Sequence, residues 1–262
     1  MKIVVCVKYV PDAQSERSFS SDNTTERASV DGLLSELDEY AVEEALSLAE
    51  DHDGQVIAVT MGPDEAGAAV KKSLQMGAHA GVHINDDAIA GSDSPATSLI
   101  LAKAIEKIGE DEAVDLVIAG LASTDGVMSV VPAMLAERLG LPQVTFASEL
   151  GIAEGTVTIK RDGDVASETI EAALPALVSV TDQINDPRYP SFKGIMAAKK
   201  KPVDVWSLTD IGVDPADVGL AAAWTTVVTI TQRPPRSQGE IVTDDGSGGQ
   251  ALADFLTTRK FA

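Results

Sequence analysis

The chain has 262 residues, a hydrophobic content of 44% and a formal net charge of −21 at pH 7. This charge argues against a nucleic-acid partner, whose phosphates it would repel, and no apolar run reaches the ~20 residues that a membrane-spanning helix needs. The single cysteine rules out an intramolecular disulfide, and the N-terminus is typical of a buried strand rather than a signal peptide, so we expect a cytoplasmic protein.

The first 140 residues alternate between predicted strands and predicted helices. Apolar, β-branched runs predict strands at 2–8, 55–60, 81–85 and 115–119, and amphipathic or capped segments predict helices at 38–50, 64–77, 94–108 and 129–139. The polar stretch 14–32 is typical of a long loop. The alternation favours an α/β fold with a doubly wound, mostly parallel, Rossmann-like sheet that is covered by helices on both faces.

The ends and faces of these helices can also be predicted. Ser35 and Asp38 are both good N-caps for the first helix, and Asp64 and Ser94 are suitable starts for the next two. On the first helix the apolar residues share one face, and four acidic residues are expected to stay in solvent. These are Glu39, Glu43, Glu44 and Glu50.

The pattern changes after residue 140. Segments 156–160 and 165–171 alternate around Asp162-Gly163, which predicts a β-hairpin, and 177–181 has the composition of a buried strand. Beyond Val205 the chain is less regular, with a flexible linker at 244–249 and a last short helix at 250–258. We expect an α/β domain over 1–212 and an extended C-terminal arm over 213–262 that lies against another chain.

A candidate anion-binding loop follows the strand at 115–119. Ligands of open α/β sheets bind at the carboxyl ends of strands, and a helix N-terminus follows this loop. Its small residues would let amides approach a phosphate, while hydroxyl groups add donors. The spacing matches no phosphate-binding motif, so residue pattern alone favours an ordinary turn. The candidate residues are Gly120, Ser123, Thr124, Asp125, Gly126, Met128 and Ser129.

A second candidate is the basic segment 185–205, which stands out in so acidic a chain. Its cations alone are typical of a solvated charge run, but the apolar residues beside them favour a docking loop. The cations are Arg188, Lys193, Lys199, Lys200 and Lys201, and the apolar or aromatic residues are Tyr189, Phe192, Ile195 and Met196. The pair His79 and His83 lacks helical geometry and a third ligand, so we expect no metal site.

Four motifs in one order carry a resemblance to the β subunits of electron transfer flavoproteins. They are LDEYAVEEAL at 37–46, VIAVTMGP at 56–63 followed by QMGA at 75–78, the pattern from Arg161 through Leu174-Pro175 to Ser179, and DPRYPSFKGIMAAKKK at 186–201. The resemblance covers nearly all of 1–215 and weakens beyond it.

The resemblance implies where a nucleotide would lie. In the family the loop after Gly120 holds AMP, or a second FAD in electron-bifurcating members. The backbone of Cys6 then borders the adenine, the turn at 35–38 covers the nucleotide with its third residue near the flavin, and Met61 lines the pocket. This chain departs from the family in Ser35-Glu36, in a loop that looks one residue shorter, and in the residues 128–130. The turn residues are Ser35, Glu36, Leu37 and Asp38.

The resemblance also implies a function. Such a subunit carries electrons without a catalytic site of its own: FAD is held mainly by an α subunit, electrons arrive from acyl-CoA dehydrogenases and related flavoenzymes, and they leave to a membrane quinone reductase. Phe192 falls where the family inserts an apolar anchor into its partners. The alternatives are a bifurcating member of the family, a stand-alone adenine-nucleotide-binding regulator and, less favoured because no base or metal signature is present, a nucleotide hydrolase.

Overall fold

One large sheet organises the first part of the molecule. The computed structural model describes residues 1–236, 238–239 and 241–261, and their contacts define two units, Met1–Val227 and Val228–Ala262. The strands are β1 (Lys2–Cys6), β2 (Tyr9–Pro11), β3 (Gly32–Leu34), β4 (Gln55–Met61), β5 (Ala80–Ile84), β6 (Leu116–Gly120), β7 (Gln143–Ala153), β8 (Thr156–Asp162), β9 (Ser167–Ala173), β10 (Ala176–Val180) and β11 (Val203–Trp206). The helices are α1 (Glu36–Asp51), α2 (Gly67–Met76), α3 (Ser94–Ile108), α4 (Val131–Leu139), α5 (Phe192–Ala198), α6 (Gly219–Ala222) and α7 (Gly248–Thr258).

The strand order confirms the predicted fold class. The sheet runs β11-β5-β4-β1-β6-β10-β7-β8-β9, with parallel pairing from β11 to β7 and antiparallel pairing in β7-β8-β9. The predicted β-hairpin is thus present as β8 and β9. β1 lies inside the sheet between β4 and β6, and its run of Ile and Val residues is buried because helices cover both faces of the sheet.

Successive residues of the strands supply two separate cores. Ile3 and Val5 of β1 pack with α1 and α2 in one cluster, whereas Val4 packs with α3 and α4 in the other. This division follows from the alternation of side chains along a strand. Helices therefore cover both faces of the parallel part of the sheet, as a doubly wound fold requires.

Several helix starts differ from the predictions. The first helix begins at Glu36, two residues early, and neither Ser35 nor Asp38 caps it with its side chain. Asp64 begins a short 3-10 helix that precedes α2. The third predicted helix is confirmed, since α3 begins at Ser94 and ends at Ile108, with the carboxylate of Asp93 as its cap.

The prediction that Glu43 and Glu44 lie in solvent is wrong. Glu44 is buried and accepts a hydrogen bond of 3.0 Å from Asn185 Nδ2, and Glu43 binds Arg188. Burial raises the pKa of Glu44 against the opposing effect of the Asn185 hydrogen bond. The partners come from a segment more than 140 residues later in the chain, which the helical pattern of α1 cannot reveal.

The segment 185–205 is also not a continuous loop. It contains helix α5, which Ser191 caps by accepting a hydrogen bond from the amide of Gly194, and strand β11, which extends the parallel sheet beside β5. The first unit continues past the expected boundary at residue 212, because Val213 and Val218 are buried in the core that contains α3. Among the described residues, no helix is both long and apolar enough to cross a membrane.

Candidate functional site

The carboxyl ends of β1 and β6 meet the first turn of α1 with little space between them. A Cβ atom on Gly120 would lie 2.5 Å from Asp38 Oδ1 and 2.8 Å from the carbonyl oxygen of Leu37. Only glycine therefore permits this approach. Cys6 ends β1 beside Ala119, so the strand ends and the turn at 35–38 form one continuous surface.

Asp38 is a buried acid at the centre of this surface. Its Oδ2 accepts a hydrogen bond of 2.8 Å from the amide of Lys8. Burial raises the pKa of Asp38 to about 7, because desolvation outweighs the hydrogen bonds from the amides of Lys8 and Gly120. Burial and the nearby carboxyl of Asp38 likewise raise the pKa of the Cys6 thiol to about 12. Cys6 therefore remains a thiol and contributes backbone and bulk rather than nucleophilic chemistry.

The loop of residues 121–130, which we call the β6–α4 loop, is a strained turn with free amides. Gly126 donates to Asp125 Oδ1 at 2.7 Å and to Ser123 Oγ at 3.3 Å. Val127 and Ser129 have φ angles of 52° and 56°, which are unfavourable for residues other than glycine. In the described part of the chain, the amides of Met128, Ser129 and Val130 donate no hydrogen bond. Unpaired amides before a helix can bind an anion.

The start of α4 differs from its prediction. Ser129 does not cap the helix, which begins at Val131 after an N-cap at Val130 that provides no side-chain hydrogen bond. Met128 is 61% exposed on the outer side of the β6–α4 loop. At residues 128–130 the unpaired backbone amides are therefore available as donors, beside the hydroxyl of Ser129.

Three cations that the sequence analysis did not single out converge on this loop. Lys8 Nζ lies 3.0 Å from Asp125 Oδ1, Arg27 pairs with Asp125 Oδ2, and Arg17 donates a hydrogen bond of 2.9 Å to the carbonyl oxygen of Thr124. Burial raises the pKa of Asp125, but Lys8, Ser123 and Arg27 outweigh it and hold that pKa well below its usual range. Lys8 lies two residues after the end of β1, and this position near a strand end was the available signal.

The remaining predicted residues divide between the site and its surroundings. Ser35 is buried, and its Oγ accepts a hydrogen bond of 3.4 Å from the amide of Thr124, so the turn at 35–38 touches the β6–α4 loop. Leu37 is half-buried beside Gly120, whereas Glu36 is exposed. Met61 ends β4 and packs, like Cys6, against the core that contains α3. The structure thus brings together most of the predicted nucleotide residues and leaves Glu36 at the rim.

The basic segment 185–205 forms a second surface, and two of its cations bind groups within the chain. Arg188 forks onto Glu43 and Glu50 of α1, at distances of 2.8 and 2.6 Å. Lys201 Nζ donates to the carbonyl oxygens of Leu74 and Gly77 at the end of α2. These two residues, expected to be free docking cations, are therefore tethers that hold the segment on α1 and α2.

The apolar residues of this segment remain displayed. Tyr189 and Phe192 are 93% and 81% exposed, and Ile195 and Met196 are partly exposed beside them. Lys199 and Lys200 follow on the exposed side of the same segment. Gly194 lies against the carbonyl oxygen of Gln75, where a Cβ atom would be only 2.6 Å away, so α5 rests closely on α2. The exposed Phe192 is thus carried on a fixed backbone.

Comparison with known proteins agrees with this architecture. A family model described as an electron transfer flavoprotein domain matches residues 22–211. The electron transfer flavoprotein subunit beta of Mycobacterium tuberculosis is 47% identical over 264 residues, with 98% of each chain covered. The caffeyl-CoA reductase-Etf complex subunit CarD of Acetobacterium woodii is 36% identical, covering 93% of this chain and 92% of that protein. The subunit beta of Megasphaera elsdenii is 32% identical, covering 100% and 98%. The chain therefore belongs to the electron transfer flavoprotein family, among its β subunits.

Proposed function

We propose that this chain is the β subunit of a heterodimeric electron carrier and binds AMP at the carboxyl edge of its sheet. The observation that carries the proposal is the convergence of the strand ends, the turn at 35–38 and the unpaired amides of the β6–α4 loop. These groups suit an adenine nucleotide: the amides and nearby cations match a phosphate, and Cys6 and Leu37 offer apolar contact. AMP would stabilise the folded subunit without taking part in chemistry.

The redox group in this proposal is an FAD held mainly by the α subunit. The flavin supplies the electron-carrying chemistry when it is bound, and this chain encloses one side of it. Leu37, at the turn that borders the nucleotide site, would provide the apolar contact. The residues at the strand ends have no nucleophile paired with a base, and Cys6 stays protonated, which supports a carrier role rather than a catalytic one.

A docking role for the exposed segment completes the proposal. Phe192 would enter a pocket on acyl-CoA dehydrogenases and related flavoenzymes, with Lys199 and Lys200 steering the encounter. The electrons would then pass to a membrane quinone reductase. A small exposed apolar patch with flanking cations supports this role, because electron-transfer partners need brief contacts over a limited area.

The experiment that tests the nucleotide assignment is analysis of the purified heterodimer. The chain is co-expressed with its α subunit, the complex is denatured by heat, and the released nucleotides are separated and quantified. One AMP and one FAD per heterodimer are expected. Two FAD and no AMP would instead favour the bifurcating alternative, and a stable chain that forms no heterodimer would favour the stand-alone regulator.

A substitution locates the nucleotide within the chain. A Cβ atom on Gly126 would lie 3.1 Å from Ser123 Oγ and meet nothing else within 4 Å, so a side chain at this position requires a small shift of that hydroxyl alone. Gly126→Leu should fill the space in front of the β6–α4 loop and remove AMP while leaving FAD bound. Gly151→Leu is the matched control, since nothing lies within 4 Å of a Cβ atom there. An unchanged AMP content in Gly126→Leu would place the nucleotide elsewhere.

A further inference from the structure

The loop between β2 and β3 carries two of the three cations that reach the β6–α4 loop. We call residues 12–31 the strap. Its two ends are joined, since the amide of Asp12 donates to the carbonyl oxygen of Asp31 at 3.0 Å and β2 pairs with β3. Within the strap, Phe19 and Thr25 form an isolated bridge. Arg17 and Arg27 then extend from the strap to Thr124 and Asp125.

Asp125 is buried more deeply than the two cations that pair with it. The side chain of Asp125 is 1% exposed, whereas those of Lys8 and Arg27 are 43% and 40% exposed. The carboxylate therefore lies beneath, and the two cations lie between it and solvent. An anion that approaches the β6–α4 loop meets the cations before it meets Asp125. Such an exposed cationic pair is unexpected in a chain with a net charge of −21.

We propose that Lys8 and Arg27 select the phosphate group of the nucleotide, and that Asp125 is their counter-ion when no phosphate is present. This proposal rests on the nucleotide site of the proposed function. A phosphate that bonds both cations leaves Asp125 with the amide of Gly126, which already donates to Oδ1 at 2.7 Å. The acid therefore keeps a hydrogen-bond partner after the exchange.

The test compares AMP with adenosine, which differ only in the phosphate. The full-length chain in complex with its α subunit, freed of nucleotide, is titrated calorimetrically with each ligand. Arg27→Gln should weaken AMP binding about tenfold or more while leaving adenosine affinity unchanged, because a charge-assisted contact to the phosphate is lost. Arg161→Gln is the matched control: it removes the same charge, paired with Glu168 on the β8–β9 hairpin.

Asp125→Asn gives the complementary result. Asparagine keeps the oxygen that accepts from Gly126 but removes the charge that competes with phosphate. We expect AMP to bind more tightly in Asp125→Asn, with adenosine unaffected. Raising the salt concentration should weaken AMP binding to the wild-type complex more than to Arg27→Gln, since screening acts on the exposed cations.

The outcomes separate this proposal from the one on which it rests. If wild type binds AMP no better than adenosine, or if Arg27→Gln binds AMP as wild type does, the phosphate assignment falls while the nucleotide site stands. If Asp125→Asn loses AMP alone, Asp125 is itself a ligand group, and the counter-ion role is wrong. If the wild-type complex binds neither compound, the nucleotide site itself is wrong.

Discussion

Gly120 and Asp38 show how one small residue allows an acid to be buried against a strand end. A Cβ atom on residue 120 would lie 2.5 Å from Asp38 Oδ1, so no water molecule fits between Gly120 and Asp38. Asp38 is consequently the one group at the strand ends for which burial places the pKa near neutrality, at about 7. Its charge state then affects both the stability of the subunit and the electrostatic potential at the proposed nucleotide site.

The raised pKa of Asp38 predicts that Asp38→Asn changes the stability of the folded chain by an amount that depends on pH. An unfolded aspartate titrates near pH 4, so between about pH 4 and 7 the folded chain holds a proton that the unfolded chain has lost. Wild-type stability therefore falls across this window, and asparagine, which stays neutral, avoids the loss. Thermal melting of the heterodimer from pH 4.5 to 8 should show Asp38→Asn gaining on the order of 1–3 kcal/mol relative to wild type as pH rises. Asp204→Asn, which removes a carboxylate from an exposed position, is the control. A stability difference between Asp38→Asn and wild type that stays constant across this pH range would contradict the raised pKa of Asp38.

A second prediction at this level concerns Phe192. Truncating a central apolar anchor typically costs about 2 kcal/mol, or about a thirtyfold loss in affinity. Phe192→Ala should therefore sharply reduce electron transfer from an acyl-CoA dehydrogenase, measured at low partner concentration, while flavin content stays at the wild-type level. Val165→Ala is the matched control, because Val165 is 99% exposed on the β8–β9 turn. Equal losses of electron transfer in Phe192→Ala and Val165→Ala would contradict the proposed docking role of Phe192.

Helix α1 links the two surfaces. Its first turn meets the strand ends at Gly120, and its later turns hold the basic segment 185–205, the proposed docking segment, through Glu43, Glu44 and Glu50. A helix of 16 residues is about 24 Å long, which sets the separation along it. The polar face of α1 is thus an internal attachment surface for a segment that follows much later in the chain.

Arg188→Lys tests this attachment. Lysine keeps the charge but cannot bind two carboxylates at once as the guanidinium does, so the basic segment 185–205 should be held less firmly against α1. We expect faster hydrogen exchange over residues 186–200 and a loss of about 1 kcal/mol in stability, with unchanged nucleotide content. Arg161→Lys on the hairpin provides the same substitution at a single exposed ion pair. Wild-type exchange rates in Arg188→Lys would show that Asn185 and Lys201 suffice to hold the segment.

The elements also show what could be predicted from sequence. Strands β1, β4 and β6 and the helices between them followed from strong, continuous periodicity. Helix α5 and strand β11 could not be predicted in this way. α5 has only seven residues and contains Gly194, and β11 is a short, exposed edge strand, so neither has a clear apolar periodicity. At the site, the β6–α4 loop could be predicted because it follows a strand end. The approach of Arg17 and Arg27 could not, because it depends on the path of a long polar loop.

The proposed nucleotide site and helix α5, which begins at Phe192, lie towards opposite ends of the strands, because Gly194 of α5 lies against Gln75 near the end of α2. The β6–α4 loop and the strap are at the carboxyl edge, where β1 and β6 end. Lys201 binds the end of α2 at Gly77, just before β5 begins, which is the amino edge. A dehydrogenase bound at Phe192 would therefore leave the carboxyl edge accessible to the α subunit.

The unit Val228–Ala262 is the segment we propose to hold the α subunit. Its helix α7 buries none of its residues and displays Leu252 and Phe255. A chain ending at Val227 should stay folded, because the unit Met1–Val227 retains Val213 and Val218 in its core. Truncation after Gly212 would remove both valines and confuse unfolding with loss of assembly.

We therefore expect the chain truncated after Val227 to lose only the circular dichroism signal of α7, to keep its cooperative unfolding, and to lose co-purification with the α subunit. Leu252→Asp with Phe255→Asp in the full-length chain should reproduce the loss, because charges on the apolar face of α7 oppose its burial against a partner. Asp254→Lys, on an exposed position of the same helix, tests whether any charge change is sufficient. Full-affinity assembly of the truncated chain would place the α-subunit contacts within Met1–Val227, where the exposed Trp224 and Met128 would become the next residues to substitute.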